Sequence, residues 1–433
     1  MSRTRMNLRM PWFGIVASVV ALVVRFAASI GQSPMRYPDS IGYDTVNFFS
    51  TTDRPWPIPL VFSLAGSDTL RMVVHVVLGT AAWVVLAWVL SSFTRLSRVV
   101  FTATLFLGLS PQIIRYDVAM LSESLSITFA VAAVAATLNR FQKRTTSSMM
   151  WWGLTLVLVV LSRPTHLLIV MVCLVPHMIH FIRSRGRKIS LTGLAVFVLL
   201  GIGTFTVRQS SHMSLLNLYT VISARVISDD ARFEWFVSHG MPNIAQMRAA
   251  TGYDYAGELP PEVDDIVKLP DGQQPPSLMR VGGVELATWL ADNGWRTTIK
   301  YLISHPADTV SHARQLADPT LNPSNDDFLP LKNGPMMPRI AFLHWQLWAL
   351  ASVLCIASLG VRRKTRRLSA LLAGFLFTAV VVYFASVHTS GIEHARHATT
   401  VSAMIRVIGL VCIFAVLPKK QINASLDGTG GEQ

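Results

Sequence analysis

Long apolar runs separated by short polar breaks fill the chain from residue 11 to residue 208 and again from 340 to 417. A helix needs roughly 20 apolar residues to cross the hydrocarbon of a bilayer. By that measure, runs at about 11–30, 72–93, 97–114, 117–138, 149–163, 165–182, 190–208, 340–360, 368–387 and 398–417 predict ten transmembrane helices. The first run has a basic start and no small-residue cleavage site after it, so it is expected to stay as a span. The expected fold class is an all-α polytopic membrane protein. Spans 1–7 form an N-terminal membrane domain over 1–208, spans 8–10 lie within 339–418, and residues 419–433 form a polar tail.

Two connections are longer than joining neighbouring helices requires. One, residues 31–71, joins the first two spans. The other, residues 209–338, is rich in Pro, Gly and polar residues and is expected to be a large loop or small helical domain. Within it, Leu215 to His239 and Val284 to Leu302 carry apolar residues at roughly helical spacing. Their tryptophans, Trp235, Trp289 and Trp295, suit a membrane interface, although ordinary amphipathic helices would look the same.

Composition agrees: 51% of residues are hydrophobic, 14% are charged, and the mean hydropathy is +0.44. A net charge of +14 would suggest nucleic acid in a soluble protein, so the location of the cations matters. Cytoplasmic loops attract Lys and Arg. With both termini inside, the inner segments hold 19 cations, including Arg3, Arg95, Arg140, Arg183, the Arg362–Arg367 run and Lys420, and only the tail acids Asp427 and Glu432. Outside fall Asp39, Asp44, Asp53, Asp68, Asp117, Glu123 and Glu393, and the 209–338 loop holds 15 acids against nine Lys or Arg. The basic charge records topology, and no nucleic-acid partner is expected. The three cysteines, Cys173, Cys355 and Cys412, lie in apolar runs without paired spacing and read as core residues.

Ionisable groups in or at the edge of hydrocarbon are costly and often functional. Here they gather at the expected outer depth: Arg25, Glu123, Arg163, Arg208 and Arg406, with Asp39, Asp44, Asp117, His166, Glu393, His394, Arg396 and His397 around them. Mixed carboxylates and arginines suit transfer from a lipid phosphate. Arginine forks hold phosphate oxygens, and a carboxylate takes a proton from the acceptor. In Tyr37-Pro38-Asp39-Ser40-Ile41-Gly42-Tyr43-Asp44, a short helix after Pro38 would put Asp39 and Tyr43 on one face. Asp39 equally has the placing of a helix cap. Glu123, between Ser122 and Ser124 in an apolar span, must be paired, neutral or in water. Arg163-Pro164-Thr165-His166 reads as a phosphate ligand or a polar turn. Glu393-His394-Ala395-Arg396-His397 reads as a phosphate clamp or a Glu–Arg pair, with no third histidine at metal-site spacing.

The N-terminal span, the loop opening with Pro38-Asp39-Ser40 and Tyr43, the turn Ser110-Pro111 and the span carrying Ser122-Glu123 resemble the lipid-phosphosugar-dependent glycosyltransferases of the C superfamily. Protein mannosyltransferases and aminoarabinose transferases belong to that superfamily, and the likeness covers mainly residues 10–210. It implies that an acid of the first outer loop acts as base or acceptor-binding group, matching Asp39 with Asp44 as the fallback. It also implies a polyprenyl phosphate held by basic residues, for which Arg163, Arg208, Arg396 and Arg406 are the candidates. Some members bind a divalent cation near the loop acid, and the sequence leaves the metal open. It lacks a clear Asp-Glu pair in the first loop and has fewer spans than the best-known members.

The expected activity moves a sugar from a polyprenyl-phosphate donor to a glycan, lipid or protein acceptor outside the cytoplasmic membrane, with inversion. Asp39, Asp44 and Glu123 are its catalytic candidates, and Tyr43, Arg163, Arg208, Glu393, His394, Arg396 and Arg406 its binding candidates. The alternatives are a polysaccharide polymerase or ligase using lipid-diphosphate glycans, or a glycolipid or solute transporter.

Overall fold

The computed structural model describes residues 9–169 (except 30, 47–53 and 144), 211–244, 247–248, 285–322 and 339–417 (except 343, 364 and 392), with the single positions 198 and 201. The protein is nearly all helical, and no strand occurs among the described residues. Five helices are long and apolar enough to cross a membrane: Pro11–Ser29, Asp68–Ser91, Glu123–Gln142, Arg366–His388 and Thr399–Val416. A sixth is reached if Ser97–Gly108 and Pro111–Asp117, bent by 49° at Ser110-Pro111, count as one span. Thr146–Ser162 and Trp345–Val361 are shorter apolar helices. The expected spans at 165–182 and 190–208 lie mostly outside the described residues.

The fourth run behaves differently from its expectation. Glu123 is the first residue of its helix instead of lying about two turns inside. The preceding residues are used sideways. Met35 donates to the Val118 carbonyl at 2.8 Å and accepts from the Met120 amide at 2.9 Å, forming a parallel bridge with Ala119. Asp117 turns to Arg25 of the Arg9–Ser29 helix, at 2.6 Å. With these groups engaged, helical pairing starts only at residue 123, where the carboxylate sits at the positive end of the helix dipole.

The main core is built from Asp68–Ser91, Ser97–Gly108, Glu123–Gln142 and Thr399–Val416, with Phe62, Trp83, Leu86, Phe101, Leu125 and Val407 among its fully enclosed side chains. A second cluster belongs to the long connection: Leu218, Tyr219, Ile222, Phe233, Phe236, Trp289, Leu290 and Tyr301. The expected helix from Leu215 to His239 is divided. Ser211–Val221 passes through a π-helical turn, Ile222–Val226, and Asp229 then caps Asp230–Ser238 by accepting from the Arg232 amide at 2.9 Å. Residues 285–304 are helical with a π turn at Leu290–Gly294. Of the three tryptophans expected at an interface, Trp289 is buried and Trp235 stacks on His239.

The connection is tied to the bundle at one corner. Arg225 donates to His388 Nδ1 at 2.5 Å, and the Gly391 amide donates to Thr220 Oγ1 at 3.0 Å. A Cβ at Gly391 would lie 1.9 Å from the Thr220 carbonyl oxygen, so only glycine permits this approach.

Candidate active site

Arg396 is the centre of a buried charge cluster assembled from four parts of the chain. Its Nη2 reaches Asp39 Oδ2 at 2.5 Å, its Nε reaches Glu123 Oε1 at 2.7 Å and its Nη1 reaches Glu393 Oε2 at 2.9 Å. Arg163 donates to the same Glu123 oxygen and, at 3.1 Å, to the His397 carbonyl. Arg54 holds Asp39 Oδ1 at 2.9 Å and lies over the Tyr43 ring, 5.3 Å from its centre. Glu123 is fully buried, and its Oε2 has no partner among the described residues.

Local structure explains how the loop acid arrives there. The Met35 bridge fixes the loop beside the start of the Glu123 helix, and Pro38–Tyr43 then forms a 3-10 helix. Tyr37 and Ser40 close its first turn through Tyr37 N to Ser40 Oγ, 2.9 Å, and Ser40 N to Tyr37 O, 2.8 Å. Asp39 is therefore inside the short helix and not its cap, leaving its carboxylate to the two arginines. At the other side, Glu393 takes a left-handed backbone, φ 53°, uncommon for a residue with a Cβ. That strain, held by the Arg396 pair, sits next to the cluster, as strained residues often do at functional sites.

Asp39, Tyr43, Arg54, Arg163, Arg396 and His397 line one cavity of about 420 Å³, while Glu123 and Glu393 hold Arg396 from behind that lining. An apolar chamber of about 380 Å³ lies next to it, walled by Trp152, Leu156, Val159, Phe375, Val382 and Met404. The same helices pass from one to the other: Val159 faces the chamber and Ser162 the cavity, while Val382 faces the chamber and Ser386 the cavity. The charged pocket thus stands at the end of an apolar one.

Burial opposes ionisation of Asp39, but the Arg54 and Arg396 charges outweigh it and hold the carboxyl below its ordinary value. For Glu393, burial prevails over Arg396 and, with the nearby Asp39 charge, raises the carboxyl. Two carboxylates on one guanidinium are thereby pushed apart. Burial, then Arg163 and Arg396, push His397 down to about 3, so its imidazole is neutral and is no cationic phosphate ligand at neutral pH.

The structure thus brings together Asp39, Tyr43, Glu123, Arg163, Glu393 and Arg396. Asp44 is a different matter: it faces away, bound to Arg36 at 2.8 Å and Arg71 at 2.8 Å in a cluster that includes Asp68. The fallback base is consumed by that loop-fixing network. His394 also turns from the cavity, its ring 6.5 Å from that of His312. Arg406, expected to hold phosphate, is fully enclosed and donates to the carbonyls of Ala341, Phe342 and Ser402 and to Asn322 Oδ1. It secures the 339–342 turn and Asn322 to the last helix, and its hydrogens are spent on that task. Arg208 lies outside the described residues.

Sequence reasoning missed Arg54 altogether. Its signal was available, because Arg36, Arg54 and Arg71 are cations in a connection that the charge sorting places on the acidic side. No group of three or more His, Cys, Asp or Glu among the described residues is placed to hold a metal ion. Comparison with protein-family models, curated proteins and solved structures returns no match.

Proposed function

We propose that this chain is a multi-pass enzyme of the cytoplasmic membrane that transfers a sugar from a polyprenyl-phosphate carrier to a glycan, lipid or protein acceptor. In this reading it has ten spans, both termini are cytoplasmic, and the charged cavity opens outside. One observation carries the proposal: the first-loop acid Asp39 and the buried Glu123 share Arg396 at a cavity that adjoins an apolar chamber. A lipid phosphate has the matching shape, an anionic head on an apolar tail.

The charge balance suggests the order of events. As it stands, Asp39 is a weak base because two guanidiniums neutralise it. A phosphate entering beside Arg163, Arg396 and Arg54 competes for the same donors, in bidentate geometry that carboxylate and phosphate both accept. Donor binding thereby releases Asp39 as the acceptor arrives. The freed carboxylate takes the acceptor hydroxyl proton while that oxygen bonds to the anomeric carbon. The carbon–oxygen bond to phosphate breaks, its electron pair leaves on the phosphate, and the arginines stabilise that charge. Attack from the opposite face inverts the anomeric centre. Glu123 keeps Arg163 and Arg396 in register, and Glu393 backs Arg396 from outside the cavity lining.

The test is purified protein in lipid nanodiscs offered a panel of polyprenyl-phosphate sugars, wild type beside Asp39→Asn. Loss of the base is expected to lower transfer by about 10²–10⁴-fold. Solute flux without transfer or donor hydrolysis would replace the enzyme with a carrier.

The pH profile gives a second expectation. Asp39 must be ionised to act, and its pKa in the free protein lies below the ordinary 3.8. The acid limb of kcat/KM, which reports the free enzyme, therefore falls below about pH 4. The limb of kcat, which reports the donor complex, lies higher because phosphate has drawn the arginines away. Coincident limbs near neutrality would exclude Asp39 as the group.

A further inference from the structure

The cavity has a second wall that the charge cluster does not use. Asn217, from the Ser211–Val221 helix, and Trp295, the first residue of the Trp295–Ser304 helix, both line it. Neither carries charge, whereas Arg54, Arg163 and Arg396 border the same space with Asp39. The Trp295 ring leans on the second apolar cluster, yet its Nε1 is buried with no hydrogen-bond partner among the described residues.

The backbone is shaped to bring this pair together. Gly294 ends the π turn Leu290–Gly294, and a Cβ there would lie 2.5 Å from Leu218 Cδ2. A side chain there would have to displace Leu218, so glycine lets the turn rest directly on the helix that carries Asn217. π turns recur at functional sites, and here one sets Trp295 on the cavity wall. The Gly391–Thr220 and Arg225–His388 ties hold that helix against the bundle.

From this arrangement we infer that Trp295 and Asn217 form a sugar-binding wall, taking a neutral pyranose on the acceptor side of the cavity. An indole face suits the C–H face of a pyranose, while the Asn217 carboxamide suits the hydroxyls around the ring. The charged wall takes the phosphate, so the two ends of the cavity divide anion from polyol, with Asp39 lining the space they share. This assignment rests on the transferase reading and names the chemistry of its acceptor.

The experiment is saturation-transfer NMR on the full chain in nanodiscs, with methyl α-mannoside, methyl β-galactoside and N-acetylglucosamine as probes. At least one probe binds the wild type. Trp295→Ala weakens that binding by about thirtyfold, the scale of truncating a buried tryptophan anchor. Trp295→Leu, which keeps apolar bulk but loses the aromatic face, and Asn217→Ala each weaken it by about fivefold, the scale of one stacking contact or one hydrogen bond. Trp151→Phe, on an exposed helix face, binds as the wild type does. The milder variants decide the matter if Trp295→Ala does not fold. The wall is overturned if no probe binds the wild type, or if binding survives both Trp295→Leu and Asn217→Ala undiminished. Sugar binding that depends on Trp295, in a protein that transfers nothing, overturns the enzyme and leaves the wall.

Discussion

Replacing Arg396 by methionine is expected to lower stability by about 3–5 kcal/mol and transfer by at least about 10²-fold. Three carboxylates depend on this one guanidinium, and two of them have a further arginine: Arg163 for Glu123 and Arg54 for Asp39. Glu393 has no other ion pair among the described residues, and its carboxyl, already raised by burial, takes up a proton and absorbs part of the cost. Glu123 is fully enclosed, but Arg163 stays on its Oε1, so its charge remains paired when Arg396 is lost. The discriminating variant is therefore the double replacement Arg396→Met with Glu393→Gln, which removes the acid that Arg396 alone neutralised. It should recover more than half of the lost stability, because the uncompensated buried charge is gone, and none of the transfer. Thermal unfolding in nanodiscs beside transfer assays measures both. Transfer that returns with stability would reduce Arg396 to a packing role and leave the cavity without its anion ligand.

The helices were legible because long apolar runs bounded by polar breaks can be read from composition alone, although two of the ten expected spans, Thr146–Ser162 and Trp345–Val361, form helices shorter than a span. The observed Thr146–Ser162, Trp345–Val361, Arg366–His388 and Thr399–Val416 differ by a few residues from the apolar runs at 149–163, 340–360, 368–387 and 398–417. The candidate site was legible in residue type: Asp39, Glu123, Arg163 and Arg396 stood out as charges at the edge of hydrocarbon, and they meet. Their pairing was not legible. Asp39 reaches Glu123 through the bridge between Met35 and Ala119, a contact between segments far apart in sequence that leaves no local pattern. The same absence of local signal explains Arg406. An arginine two turns into an apolar span looks identical whether its hydrogens await a phosphate or are already taken by the carbonyls of Ala341 and Phe342. Charge type identifies the cost of burial; only the partners tell which group meets it.

Arg25 and Asp117 give the other large effect, and its sign depends on whether one partner is removed or both. The pair is bidentate, at 2.6 and 2.9 Å, with side chains 3% and 0% exposed. Ser124 Oγ adds a 2.7 Å hydrogen bond to the same carboxylate, and His75 Nδ1 meets the Asp117 carbonyl at 3.1 Å. Gly79 makes the space, since a Cβ there would lie 2.3 Å from Arg25 Nη2. Asp117→Leu leaves the guanidinium buried among helices with no acid to neutralise it, a loss expected at about 3–5 kcal/mol. Arg25→Leu with Asp117→Leu removes both charges and fills the site with apolar volume. Such replacements are often neutral or stabilising, so the double variant should unfold within about 1 kcal/mol of the wild type. Neither residue lines the cavity, and the double variant should still transfer sugar. Unfolding of Asp117→Leu, Arg25→Leu and the double variant in nanodiscs completes the cycle. A double variant as unstable as Asp117→Leu alone would mean that the pair does more than cancel charge, and that its hydrogen bonds to Ser124 and the start of the Glu123 helix set the bundle's register at the site.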